Sequence, residues 1–192
     1  MKKSILLLAF GALFTSVNAQ DKPGAGKIFV GGSLGYGSSS QKVLDETVTT
    51  GNLNISPSLG YFINDGMAIG ANLSFSKQIA KGIEKGGVSF GVGAFLRKYW
   101  SLADNFYFIG EASADFSSTT PANAEKAGTG FGVGITPGLG FYPGKKWGVE
   151  FAMGNVLGFS SSKPDPDADA TTNINVGFST AVPAISVIYF LK

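Results

Sequence analysis

The sequence predicts an all-β fold, an eight-stranded antiparallel up-and-down transmembrane β-barrel, and three observations carry that reading. Apolar residues recur with period two, the period of a strand, in eight separate stretches. No segment beyond the N-terminus offers the run of about 18 apolar residues that a membrane-crossing helix needs. The connections between stretches alternate strictly, short then long, as in a membrane barrel with tight periplasmic turns and longer outward loops.

The first residues read as an export signal. Lys2 and Lys3 precede an apolar run over residues 5–14, too short to span a bilayer as a helix, and Val17-Asn18-Ala19 follows. Residues 1–19 are therefore a signal peptide with cleavage expected after Ala19, and 20–192 form one barrel domain. The formal charge of +2 depends on Lys2 and Lys3. Without them the basic and acidic residues balance, which gives no electrostatic case for binding nucleic acid. Charged residues make up only 15% of the chain, below the roughly 25% of a soluble domain. With no cysteine there is no disulfide, thiolate site or lipoprotein anchor, and with no histidine there is no Ser-His-Asp triad or His-based zinc site.

Each stretch aligns large apolar residues on one face. The first aligns Ile28, Val30, Leu34 and Tyr36; the second Leu53, Ile55, Leu59, Tyr61 and Ile63. The third aligns Met67, Ile69, Ala71, Leu73 and Phe75, and the fourth Val88, Phe90, Val92, Ala94 and Leu96. The fifth aligns Phe106, Phe108, Ala112, Ala114 and Phe116; the sixth Phe131, Val133, Ile135, Leu139 and Phe141. The seventh runs from Trp147 through Val149, Phe151, Met153 and Leu157 to Phe159. The eighth begins with Ile174, Val176 and Phe178, and its parity slips near Pro183, as at a bulge, before Ile185, Val187, Tyr189 and Leu191. The opposite face is small or polar, for example Gly130, Gly132, Gly134 and Thr136. A soluble sheet would place long charged side chains on its wet face. Small residues instead fit the crowded inside of a narrow barrel, so the large apolar face is expected to meet lipid.

Short turns are expected at 63–66, 101–105 and 143–146, and longer polar loops at 37–51, 78–86, 117–128 and 161–172. Two aromatic girdles follow. Tyr61, Trp100, Phe106, Phe141, Trp147 and Tyr189 lie beside the short turns. Tyr36, Phe75, Phe90, Phe116, Phe131, Phe159 and Phe178 lie beside the long loops. Lys98 has lipid-face parity near a turn, where a lysine costs only about 0–1 kcal/mol.

Ile55-Ser56-Pro57-Ser58-Leu59-Gly60-Tyr61-Phe62 recurs as Ile135-Thr136-Pro137-Gly138-Leu139-Gly140-Phe141-Tyr142, and Val182-Pro183-Ala184-Ile185 is a weaker echo. The run from Pro57 to Gly70, through Phe62-Ile63-Asn64-Asp65-Gly66, resembles the hallmark hairpin of the porin-like outer membrane protein β-barrel domain family, common in Bacteroidota and similar in shape to OmpA/OmpX-type barrels. The resemblance implies an eight-stranded barrel inserted in the outer membrane of a Gram-negative cell, with no catalytic residues. Its partners would be outer-membrane lipid and, during biogenesis, the barrel-assembly machinery. The chain departs from the pattern at its end, Tyr189-Phe190-Leu191-Lys192, where such barrels usually finish on an aromatic residue, and no peptidoglycan-binding domain is expected after the barrel.

Arg97, Glu111, Asp115 and Glu150 have inward parity and form the candidate lumen charge network, with Arg97 and Glu111 at similar height on neighbouring strands. An internal salt-bridge plug is the favoured reading, because eight strands leave an interior that side chains can fill; a gate or selectivity ring is the alternative. Asp165, Asp167 and Asp169 alternate in the last long loop, but Ala170 and Val176 stand where a calcium loop wants Gly and Glu. They read as a solvated acidic loop. The glycine-rich runs lack the rest of any nucleotide motif and read as close packing. No catalytic, cofactor or metal site is expected. A monomeric structural or surface-interaction barrel with a mostly plugged lumen is the expected function, and a narrow porin-like channel for small solutes is the alternative.

Overall fold

The structure, a computed structural model, describes residues 24–43, 46–80, 86–144, 146–165, 167–177 and 184–191. The strands are β1 (Ile28–Val43), β2 (Glu46–Asn64), β3 (Met67–Ala80), β4 (Val88–Ala103), β5 (Phe106–Thr120), β6 (Gly128–Phe141), β7 (Trp147–Ala152), β8 (Leu157–Lys163), β9 (Thr171–Val176) and β10 (Ala184–Phe190). All neighbours pair antiparallel, and the sheet closes because β10 pairs both β1 and β7 while β5 pairs β6. Pairs β7–β8 and β9–β10 are each one interrupted barrel strand, so the ring has eight positions. One row can be followed across it: Gly31 faces Ser58, then Asn72, Gly93, Asp115, Gly132, Ser160 and Asn173. The ring closes at the level of β10, where Gly31 also pairs Ile188, and a closed ring leaves no unpaired edge there, which is the condition for placing a sheet in hydrocarbon; among the described residues β9 pairs only β8.

The alternation read from the sequence sets which face looks out. Leu59, Ile69, Leu73, Val92, Phe116, Phe131, Ile135 and Leu157 are exposed on the outer surface. Their strand neighbours of opposite parity turn inward. An apolar band of this extent is unstable against water and stable against acyl chains. Tyr61, Trp100, Phe106 and Tyr189 stand exposed on the outside beside the short turns, and Phe106 stacks on Phe141 with centroids 4.6 Å apart. Tyr36, Phe75, Phe90, Phe116, Phe131 and Phe159 stand exposed toward the other rim. Phe178 and Pro183 lie outside the described residues. From Phe106 to Phe116 a strand rises about 33 Å along its axis, or about 25 Å once tilted about 40°, matching the height of a lipid-facing band.

Ile135 lies between the two girdles on β6, facing Ala112 and Leu157. Ile135→Arg is expected to lower the unfolding free energy by about 2–4 kcal/mol, read by denaturant titration in vesicles. A near-zero cost would put this face elsewhere than in lipid.

Local irregularities follow the residues. Gly66 at φ 76° and Asn105 at φ 68° make the tight turns after Asp65 and Asp104. The turn expected at 101–105 is shorter than that, since β4 continues to Ala103 with a register shift between Ser101 and Ala103. Pro57 and Pro137, the shared prolines of the repeat, mark interruptions. β2–β3 pairing lapses between Ile55 and Ser58, and opposite Pro137 the chain bulges over residues 153–156. A proline has no N–H to give a neighbour, and the Met153 N–H donates to the Pro137 carbonyl instead. The bulge adds an even excess relative to β6, so Phe151 and Phe159 share a face. Val176 faces Leu157 and Ile185 faces Phe151, both outward residues, so Val176 and Ile185 face out despite opposite parity.

The longer loops are shorter than their polar composition predicts. β1–β2 pairing continues to Val43 facing Glu46, β3 reaches Ala80, β5 reaches Thr120 and β9 begins at Thr171. Serine and threonine keep the ladder going well past the aromatic girdle, because β-branched and hydroxyl side chains are compatible with a pleated strand in water. The outward rim is therefore built of projecting hairpins.

Candidate functional site

The lumen is not uniformly lined by small residues. In its short-turn third, Phe29, Phe62, Phe95, Tyr99, Tyr107, Tyr142, Ile109, Ile188 and Phe190 are buried against one another. Phe29 packs on Phe62 at 5.6 Å, Phe62 on Tyr99 at 5.2 Å and Tyr142 on Phe190 at 5.6 Å between centroids. The expectation of a small, polar inner face holds only above this layer. The missed signal was paired aromatics beside the short turns: Tyr61-Phe62, Tyr99-Trp100, Phe106-Tyr107, Phe141-Tyr142 and Tyr189-Phe190. Consecutive strand residues point to opposite faces, so one ring of each pair joins the girdle and the other enters the lumen. Glycines make the room. A Cβ on Gly60 would lie 2.1 Å from the Phe29 ring, and one on Gly148 would lie 2.1 Å from the Tyr142 ring.

Packed against these rings sits the charge cluster. Arg97 on β4 faces Glu111 on β5 in register, and its Nε donates to Glu111 Oε2. Its Nη1 donates to Glu150 Oε2 on β7 at 2.8 Å. The Tyr99 hydroxyl donates to Glu150 Oε1 at 3.2 Å, and the Tyr142 hydroxyl donates to the same oxygen. The Arg97 guanidinium also stacks over Phe95 at 4.4 Å. One guanidinium thus serves two carboxylates, and two phenols supply further donors to the second. Glu150 is 5% exposed, a burial a carboxylate tolerates only when paired and hydrogen-bonded.

Asp115 does not join this cluster. It lies four residues further along β5, roughly 13 Å away along the strand, and accepts from the Asn72 amide at 3.4 Å over Gly93. The lumen charge network expected as four residues is therefore a triad of Arg97, Glu111 and Glu150, with Asp115 on a separate level. Cavities shrink from the outward mouth downward: about 530 Å³ between Asn52, Ser76, Gln78, Ser89 and Thr119, about 130 Å³ beside Asp115 and Asn155, and about 70 Å³ beside Arg97 and Glu150.

Lys126, in the loop between β5 and β6, reaches Asp167 at 2.5 Å and Asp165 at 3.9 Å in the last long connection, at the solvent-facing rim. Two of the three aspartates weighed as calcium ligands thus already face a cation of the chain itself. Among the described residues no cluster of acidic groups has the makings of a metal site.

A closed sheet with its greasy side outward, rings at both rims and ion pairs inside defines an outer-membrane β-barrel protein. The chain belongs to the outer membrane protein beta-barrel domain family, whose model matches residues 5–181. The outer membrane protein OprG from Pseudomonas aeruginosa is similar in fold, with a TM-score of 0.53 over 88% of this chain and 98% of that one, at 11% identity. No curated protein matches.

Proposed function

We propose that this is an exported, non-enzymatic barrel of a Gram-negative outer membrane, with a plugged lumen and a structural or surface-interaction role carried by its outward hairpins. The observation that carries this reading is the buried aromatic layer packed against the Arg97–Glu111–Glu150 triad. Eight strands enclose a space that side chains can fill, and here Phe29 and Phe62 are fully buried within it. Water-filled pores keep polar linings along their length, whereas here the Tyr99 and Tyr142 hydroxyls are taken up by Glu150 and the rings around them pack on one another. The projecting β1–β2 hairpin and the exposed polar residues of the outward rim then form the working surface. The basic start and Val17-Asn18-Ala19 support export with cleavage after Ala19.

Planar-bilayer recording tests the plug. Wild-type protein is expected to show no steady conductance, and Arg97→Ala, which leaves two carboxylates to draw water inward, is expected to conduct more. Steady ohmic current through the wild type would instead establish the narrow-channel alternative.

A further inference from the structure

The outer face carries one depression that its surroundings do not explain. Ala71 on β3 faces Ala94 on β4, Ala94 faces Ala114 on β5, and Leu96 beside them faces Ala112. Elsewhere at this height the outward residues are large. The four methyls leave an almost wholly apolar groove of about 800 Å³, walled by Leu59, Ile69 and Leu96. At its foot stands Lys98, facing Met67 and Gly110 and one outward position below Leu96, about 7 Å along the strand. Lys98 is half-buried and makes no ion pair or hydrogen bond among the described residues; Asp65, on the nearby turn, accepts from the Ala25 N–H instead.

We infer that this groove holds one anionic glycerophospholipid of the periplasmic leaflet, with an acyl chain over the alanines and its phosphate at Lys98. Three features favour that occupant. The groove opens to hydrocarbon, so a chain enters it without crossing water. The cation lies on the short-turn side, at headgroup depth, where a lysine can keep its ammonium in the interface while its stem covers apolar surface. Among the described residues the outward strand positions carry no carboxylate, so the strand face of a second copy of this chain would bring none to meet Lys98. An apolar slot with a single cation at its interfacial end selects for a lipid with a negative head.

Native mass spectrometry of protein extracted from the outer membrane, offered equal phosphatidylglycerol and phosphatidylcholine of the same chains, tests this. One retained phosphatidylglycerol per barrel is expected, favoured about fivefold, as one lysine near the interface supplies. Lys98→Gln should erase the preference while leaving chain binding in place. Ala94→Leu with Ala112→Leu should fill the groove and remove both lipids, with heat-modifiable gel mobility reporting that the barrel still folds. If that pair misfolds, Lys98→Gln alone decides. Equal retention of the two lipids by the wild type, a preference that survives Lys98→Gln, or a dimer mass abolished by the leucines would overturn the inference.

Discussion

Arg97→Ala is expected to lower the unfolding free energy by about 3–5 kcal/mol, the cost of leaving buried carboxylates without their cation. The geometry explains why the loss is large. Glu150 is almost wholly buried and takes Arg97 on one oxygen and two tyrosine hydroxyls on the other. Removing the guanidinium leaves Glu111 and Glu150 facing each other's charge with only phenols as donors. The ion cluster itself need not be stabilising relative to an apolar core, since desolvating three charges offsets much of their attraction. Hence a triple replacement, Arg97→Met with Glu111→Leu and Glu150→Leu, should recover most of what Arg97→Ala loses. Urea titrations in vesicles read both. A cost below about 1 kcal/mol for Arg97→Ala would mean that the carboxylates are solvated, as at an exposed ion pair.

Phe29→Ala is expected to cost about 3–5 kcal/mol, the range for truncating a fully buried aromatic side chain. The ring touches Phe62, Phe95 and Phe190 and lies over the Gly60 backbone. The cavity left sits in the middle of the layer proposed to close the lumen, so current across the bilayer should rise as stability falls. A double-mutant cycle adds a sharper check. Gly60→Ala should be severe in the wild type, where its methyl meets the Phe29 ring, and mild once Phe29 is alanine. A coupling of about 0.5–3 kcal/mol is the expected range for groups in contact. Additive costs would show that the ring moves aside freely.

What was legible in the sequence was what period two encodes. Strand number, the apolar-out orientation and the alternation of short and long connections follow from it, as does the parity slip of the last strand, where Val176 and Ile185 stand on one face despite opposite parity. The Arg97–Glu111 pair was legible too, because both lie the same distance from one tight turn. Loop lengths were not, since polar Ser and Thr continue a ladder in water as readily as they form a loop. Glu150 was legible as an inward charge, but its contact crosses from β4 to β7, which parity alone does not reveal. The inward aromatic layer was not legible in the outward-face pattern, because Phe62, Tyr99, Tyr107, Tyr142 and Phe190 have the opposite parity; such a ring stands beside every short turn.

That repetition bears on how the barrel finds its alignment during assembly. At the short-turn rim both faces carry rings, so a strand displaced by one residue would trade a Tyr61 for a Phe62 and still present an aromatic on each side. Higher up, the same displacement would drive Leu59 into the lumen and leave Gly60 to the acyl chains. Because a one-residue slip exchanges every side chain between faces, the rim is nearly blind to the error while the middle of each strand rejects it. The alternation of glycine with large apolar residues above the collar, as in Leu59-Gly60 and Gly132-Val133-Gly134-Ile135, therefore acts as the proofreader of strand alignment, and it is there, rather than at the aromatic collar, that single substitutions should yield misassembled barrels.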